Sequence, residues 1–204
     1  MKPRVVLATA NPDKAIELKS ALDGAGLEIE LVDRPDSVPE VEETGGTLEA
    51  NARLKAMALS AATGLSALAD DTGLEVDELG GSPGVFSARF AGPAATYADN
   101  VEHLLHWLGG VPDERRTARF VTVIVVANSD GSELVSRGIL EGSIASEPRG
   151  TYGFGYDSVF IPRSTVLTLA ELTPNDKNAI SHRSLAIADL AILMRESGWP
   201  TSKE

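Results

Sequence analysis

The chain of 204 residues contains no cysteine. Disulfides, thiolate metal sites and cysteine nucleophiles are therefore excluded. Histidine is nearly as scarce, at three residues. The spacing of His103, His106 and His182 suits neither a zinc site nor a serine–histidine–aspartate arrangement. Long apolar runs are missing too. The longest is Val121 to Ala127, interrupted by Thr122, well short of the roughly 18 residues a membrane helix needs. Met1-Lys2-Pro3-Arg4 runs straight into Val5-Val6-Leu7 with no apolar leader, so a cytoplasmic location without membrane attachment is expected. Positive charge is in short supply, with 18 Lys and Arg against 30 Asp and Glu and a net charge of −12. Such a surface repels polymeric nucleic acid. It still admits a small phosphate ligand, because a local cationic pocket with a divalent metal overrides the global field. No glycine-rich phosphate loop of the Walker type is present.

What is present reads as alternating strands and helices. The hydrophobic fraction of 43% supports a normal core, and the length suits one domain, residues 1–204, of one or two lobes. Val5 to Thr9 is a β-rich run. Asn11 is a good N-cap and Pro12 a good first helical residue, and Ala15, Leu18, Leu22 and Ala25 recur at helical spacing up to Gly24 and Gly26. Asp33 to Gly46 is acidic, holds prolines and reads as a loop. Thr47 caps a helix to about Ala62, with Ala50, Leu54, Met57 and Ala61 as its apolar stripe and Asn51 and Lys55 on another face. Leu65 to Ala69 is a short buried strand ending at Asp70-Asp71, and another strand is expected at Leu74 to Val76. Gly80 to Gly92 is irregular, and Ala98 to Leu108 is a helix. Arg119 to Ala127 and Glu133 to Ile144 are strands joined across Asn128-Ser129-Asp130-Gly131, a hairpin turn signal. Tyr152 to Tyr156 is a glycine-bearing loop before a strand near Ser158 to Ile161. Ser181 to Glu196 is an amphipathic helix, and Thr201 to Glu204 a frayed tail. The pattern predicts an α/β fold with a mixed sheet.

Five segments carry candidate chemistry. In Thr9-Ala10-Asn11-Pro12-Asp13-Lys14 a strand turns into a helix N-terminus, whose open N–H groups and dipole favour an anion. A lysine so early in a helix is unfavourable against that dipole unless something negative lies near; the plain alternative is a capped helix with a solvent lysine. Asp70 and Asp71 repel one another at a strand end, and a divalent cation would relieve that cost. Mg²⁺ uses one or two carboxylates, waters and substrate phosphate oxygens, and Glu42 with Asp71 would suit it. Asp71 would also serve as a proton acceptor, or else both aspartates are structural. Lys55 is a phosphate or water ligand, or a surface residue. Gly153-Phe154-Gly155-Tyr156-Asp157 presents an aromatic face to a base, with Asp157 open to hydrogen bonding, or folds its aromatic into the core. Lys177, His182 and Arg183 gather donors at a helix start, fit for an acceptor such as a 6-oxo group, unless they are simply a polar helix start.

In this order the segments resemble the inosine triphosphatase, or Ham1-like, family of purine nucleoside triphosphate pyrophosphatases. The matching stretches are LATANPDK (Leu7 to Lys14), EETGGTLEANARLKA (Glu42 to Ala56), ALADDTGLEVDELGGSPGVFSARFAG (Ala67 to Gly92), GTYGFGYDSVF (Gly150 to Phe160) and AELTPNDKNAISHRSLA (Ala170 to Ala186). The resemblance covers nearly the whole chain. It implies a long mixed sheet with flanking helices forming two lobes around a central cleft, and a Mg²⁺-dependent homodimer. The implied reaction cleaves ITP, dITP or XTP to the monophosphate and pyrophosphate, which removes deaminated purines from the nucleotide pool. It further implies that Thr9 to Lys14 hold the phosphates with help from Lys55. Glu42 and Asp71 would bind Mg²⁺, with Asp71 as general base, and Thr72 would touch substrate. Phe154, Gly155, Tyr156, Asp157, Lys177, His182 and Arg183 would surround the base. Ala10 stands where relatives often carry Gly or Ser, and Asn175-Asp176 where acidic residues are usual. A Maf-like nucleotide pyrophosphatase and a non-catalytic nucleotide sensor are the alternatives. The Phe154 and His182-Arg183 motifs argue against the first, and the carboxylate–lysine set against the second.

Overall fold

β-Branched and leucine-rich runs become strands, and capped, alanine-rich runs become helices. The computed structural model describes residues 2–199, so the tail expected at Thr201–Glu204 lies outside the described residues. The elements are β1 (Arg4–Leu7), α1 (Pro12–Gly24), β2 (Glu30–Asp33), α2 (Leu48–Thr63), β3 (Ser66–Val76), β4 (Pro83–Gly84) and α3 (Tyr97–Trp107). They continue with β5 (Thr117–Ala127), β6 (Glu133–Ile144), β7 (Phe160–Pro162), α4 (Pro174–Ile180) and α5 (His182–Ser197). One sheet runs in the order β2-β1-β3-β5-β6-β7, with β4 attached to β3. β1 pairs in parallel with β2 and β3, whereas β3–β4 and β6–β7 are antiparallel. The expected mixed α/β sheet with flanking helices is what the chain forms.

The chain divides into two compact units. The first takes residues up to Asp71, Thr122–Gly138 and the chain from Arg183 onward; the second takes Thr72–Val121 and Ile139–His182. The first unit's core joins Val5 and Leu7 of β1 to Leu18 and Leu22 of α1, Leu68, Ile124, Val126 and Ile187, Leu190 and Met194 of α5. The second unit's core joins Leu74, Val76, Val101, Leu104, Phe120, Leu140, Ile144 and Phe160. Local chemistry explains the helix starts. Asn11 Oδ1 accepts from the Asp13 and Lys14 N–H groups, Thr47 Oγ1 accepts from Ala50 N–H, and Thr96 and Asp99 form a capping box on α3. α2 stops at Gly64, whose φ of 68° is the left-handed turn a glycine adopts without strain. The turn after β5 closes as its residues predict, with Asn128 N–H donating to Ser132 O at 2.9 Å.

Four elements depart from the sequence reading. β3 is one strand of 11 residues that runs through Asp70 and Asp71 instead of ending there. Aspartate disfavours strand interiors, but nearby cations compensate these two, as described below. α2 is turned the other way. Leu54 and Met57, expected inside, are exposed, while Leu48, Asn51, Ala52, Ala56 and Leu59 are buried. Both faces carry apolar residues, so periodicity alone misassigned the phase; small alanines and the polar pair Asn51 and Lys55 take the inner side. β2 falls in a stretch that has no strong alternation of its own. The C-terminal helix is preceded by a separate short helix, α4, broken at Ser181, whose ψ of 151° is extended.

Candidate active site

The chemistry of the first unit begins where β1 leaves the sheet. Ala8 N–H still donates to Leu68 O of β3 at 2.8 Å, so the turn Thr9–Asn11 starts beside Asp70. Thr9 Oγ1 accepts from Asn11 N–H at 3.2 Å, and Pro12 opens α1. The N–H groups of Asp13 and Lys14, which the sequence offered as open anion donors, are taken by the Asn11 side chain. What this turn presents is the Lys14 ammonium, whose Nζ lies 3.2 Å from Asp70 Oδ2. Arg183, at the start of α5, donates to Glu17 Oε2 of α1 at 2.7 Å and has Nε 3.8 Å from the same Asp70 oxygen. Burial alone would push the Asp70 carboxyl up. Lys14, Arg183 and Lys55 outweigh it and hold the group at about 2. Asp70 is thus a fixed buried anion.

Its neighbour is different. Successive strand residues face opposite sides of the sheet, so Asp71 meets another set of partners. Asn51 Nδ2 donates to Asp71 Oδ2 at 3.2 Å, and Lys55 Nζ lies 3.6 Å from Asp71 Oδ1. Lys55 also donates to Glu43 Oε1 at 2.7 Å. Burial raises the Asp71 carboxyl. Lys55 and Lys14 pull it back, Glu43 and Asp70 push it further, and the net shift is upward. Burial lowers the Lys55 ammonium, but Asp70, Asp71 and Glu43 outweigh that and hold it charged. A buried carboxylate of raised basicity beside two lysines can take a proton from water next to a polyanion. Of the two glutamates ahead of α2, Glu43 reaches this cluster, and Glu42 is exposed. Among the described residues no group of three or more His, Asp or Glu is placed to hold a metal ion unaided.

The second unit carries an aromatic group. Gly153 and Gly155 have φ of 75° and 62°, and the bend brings Phe154 N–H to Asp157 Oδ2 at 2.8 Å. Asp157 is buried and also accepts a hydrogen bond from Lys177 Nζ of α4. It therefore braces the loop and is not the open acceptor expected from sequence. The Lys177 ammonium lies 5.1 Å from the centroid of the half-buried Phe154 ring, and the Tyr97 ring packs 5.7 Å away. Phe154 and Gly155 face a pocket of about 770 Å³, shared with Tyr97, Val101 and Leu105 of α3. Tyr156 is core, and its hydroxyl donates to Ser87 O at 2.9 Å. Burial raises that hydroxyl's pKa. His182 is buried with its ring stacked on Phe120 at 4.6 Å. Thr72 follows Asp71 along β3 and is half-buried.

The predicted residues thus form two groups. Thr9, Asn11, Lys14, Lys55, Asp70, Asp71 and Arg183 belong to the first; Phe154, Gly155, Asp157 and Lys177 form the second, with Tyr156 and His182 in the core beside it. Ala10, in the turn, and Pro12, the first residue of α1, are both exposed. Arg183 was expected with Lys177 and His182, but adjacent helix residues point about 100° apart, and it joins Lys14 at Asp70 instead. Sequence reasoning passed over Glu17, Tyr97 and Phe120, and of the adjacent pair Glu42-Glu43 it gave the part to Glu42. It placed Asn51 on the face of Lys55 without giving it a part; that i, i+4 spacing was the available signal.

The first unit thus bears a buried carboxylate–lysine cluster of the kind that takes a proton from water beside a polyanion, and the second a pocket with an aromatic wall. Residues 5–192 match the profile of the Ham1 family, and the chain belongs to that family. It is 53% identical over 185 residues to the dITP/XTP pyrophosphatase of Symbiobacterium thermophilum, covering 91% of each chain. To the dITP/XTP pyrophosphatase of Bacillus subtilis it is 43% identical, over 93% of this chain and 96% of the other. The solved structure of a HAM1 protein from Coxiella burnetii superposes with a TM-score of 0.86 at 43% identity, over 95% of this chain and 99% of the other. The Staphylococcus aureus Ham1 protein gives a TM-score of 0.83 at 36% identity, over 95% of this chain and 99% of the other.

Proposed function

We propose that the chain hydrolyses nucleoside triphosphates of deaminated purines, dITP, ITP and XTP, to the monophosphate and pyrophosphate. The observation that carries the reading is the unlike environment of two adjacent buried aspartates, one pinned as an anion and one raised in basicity. Similarity to dITP/XTP pyrophosphatases supports the substrate class. Asp71 accepts a proton from water, the water oxygen bonds to the α-phosphorus, and the bond to the β-bridging oxygen breaks, so that pyrophosphate leaves. Lys14 and Lys55 neutralise charge on the phosphates as it develops. Phe154 stacks on the base, with Lys177 fixing the ring. Donors turned to a 6-oxo group would be left unpaired by adenine, which discriminates against it.

The donor set suits a Mg²⁺ that arrives with the triphosphate, because such an ion needs only one or two carboxylates from the protein. Asp71 would hold it, with the exposed Glu42 ahead of α2 as the second carboxylate. Bound there, Mg²⁺ supplies Lewis-acid polarisation and charge neutralisation. A cytoplasmic homodimer completes the reading, and sedimentation equilibrium checks the dimer.

The deciding experiment measures pyrophosphate release from dITP, ITP, XTP, dATP, dGTP and dTTP, with and without Mg²⁺. Release from the first three, well above the rest and lost on chelation, is expected. Preference for dTTP would favour a Maf-like enzyme. Tight dITP binding without release would make the protein a sensor.

A further inference from the structure

Asn51 is fully buried, at 0% exposure, on the inward face of α2. A primary amide carries an acceptor oxygen and two N–H donors, and a buried one must find partners for them. Here Oδ1 accepts from Gly45 N–H at 2.7 Å, and Nδ2 donates to Asp71 Oδ2 at 3.2 Å. The two partners decide the amide's orientation, because a backbone N–H only donates and a carboxylate only accepts. Gly45 leaves no room for error. A Cβ there would lie 2.6 Å from Asn51 Oδ1 and 2.7 Å from Ala50 Cβ. One turn further along the same helix face, Lys55 Nζ stands 3.6 Å from the other Asp71 oxygen. One helix face therefore meets both oxygens of the carboxylate, one with a neutral donor and one with a cation.

We infer that Asn51 is a positioning residue of the reaction, fixing the orientation of the Asp71 carboxylate through Oδ2 while Lys55 stands at Oδ1, and tying Asp71 to the acidic segment Glu42–Gly45. The inference rests on Asp71 being the general base.

Asn51→Asp tests it, since the near-isosteric carboxylate still accepts from Gly45 N–H but in its ionised form cannot donate to Asp71. The kcat for dITP is expected to fall about 10–100-fold, the range for lost orienting partners of a reacting group. KM is expected to change little, and calorimetric affinity for a dITP analogue with an imido bridge between the α- and β-phosphorus atoms is expected to stay near wild type. Gly45→Ala, which displaces the same amide and leaves Asn51 in place, is expected to lower kcat similarly, and it stands in if Asn51→Asp does not fold. The double variant is expected to lose less than the product of the two single losses, because both act through one amide. Wild-type kcat in either single variant would overturn the inference, as would an equal loss of kcat and analogue affinity. Undiminished turnover in Asp71→Asn would instead overturn the base assignment itself.

Discussion

Asp70 and Asp71 are adjacent and chemically identical, yet their replacement is expected to have opposite effects. Asp71→Asn removes a proton acceptor from a site that otherwise keeps its packing. Turnover is expected to fall about 10²–10⁴-fold, as for loss of a general base, with little change in the denaturant midpoint. Asp70→Asn leaves Lys14 and Arg183 short of a buried counter-charge, and stability is expected to drop by about 3–5 kcal/mol in urea unfolding. A kcat loss confined to Asp70→Asn would reverse the two roles. At Phe154, truncation to Ala is expected to remove about 1–3 kcal/mol of stacking, read as a higher KM for dITP with little change in kcat. Gly153→Ala is expected to raise KM as well. Its backbone φ is 75°, and a Cβ would sit 2.1 Å from the Asp157 oxygen that receives Phe154 N–H.

At the scale of the element, α2 is the informative case. Its outer residues Leu54 and Met57 are exposed, and its inner residue Ala56 has no exposed surface. Leu54→Gln is therefore expected to shift stability by no more than about 0.5 kcal/mol. Ala56→Leu forces a larger side chain into packed space and is expected to cost about 1–3 kcal/mol. Thermal or chemical unfolding of the two variants checks the helix phase. β3 teaches a related point. A strand interior accepts two carboxylates when α1, α2 and α5 supply Lys14, Lys55 and Arg183 as partners, so the element's length was set by residues far away in sequence.

At the scale of the whole chain, long-range ion pairs tie separate segments together in each unit. In the first, Arg53 of α2 donates to both oxygens of Glu133, at 2.7 to 3.1 Å, at the start of β6. The Arg53 hydrogen bond holds the Glu133 carboxyl below its ordinary value. A folded-state pKa lowered in this way adds stability above the unfolded value, and the gain disappears as pH falls through the folded value. Both side chains are about one-third exposed, so solvent screening limits the effect. Glu133→Gln is expected to lower stability by about 0.2–1 kcal/mol at neutral pH, and the gap from wild type is expected to close as the acid range is entered. A gap that persists in acid would count against the ion pair.

The sequence by itself determined the alternation of strands and helices, the capped starts at Asn11 and Thr47, and the hairpin turn after β5. These depend on hydrophobic period and on backbone hydrogen bonds made within a few residues. It also singled out the candidate segments, because five spaced stretches with unusual charge placement are legible without coordinates. Only the tertiary structure decided which face of α2 turns inward, that β3 continues through its aspartates, and that Arg183 parts from Lys177 and His182. It gave Asp70 and Asp71 their unlike sets of partners and brought Asn51 and Glu43 to them. Those outcomes depend on charges and amides 12 to 166 residues apart in the chain, and no local pattern encodes how far each is withdrawn from water.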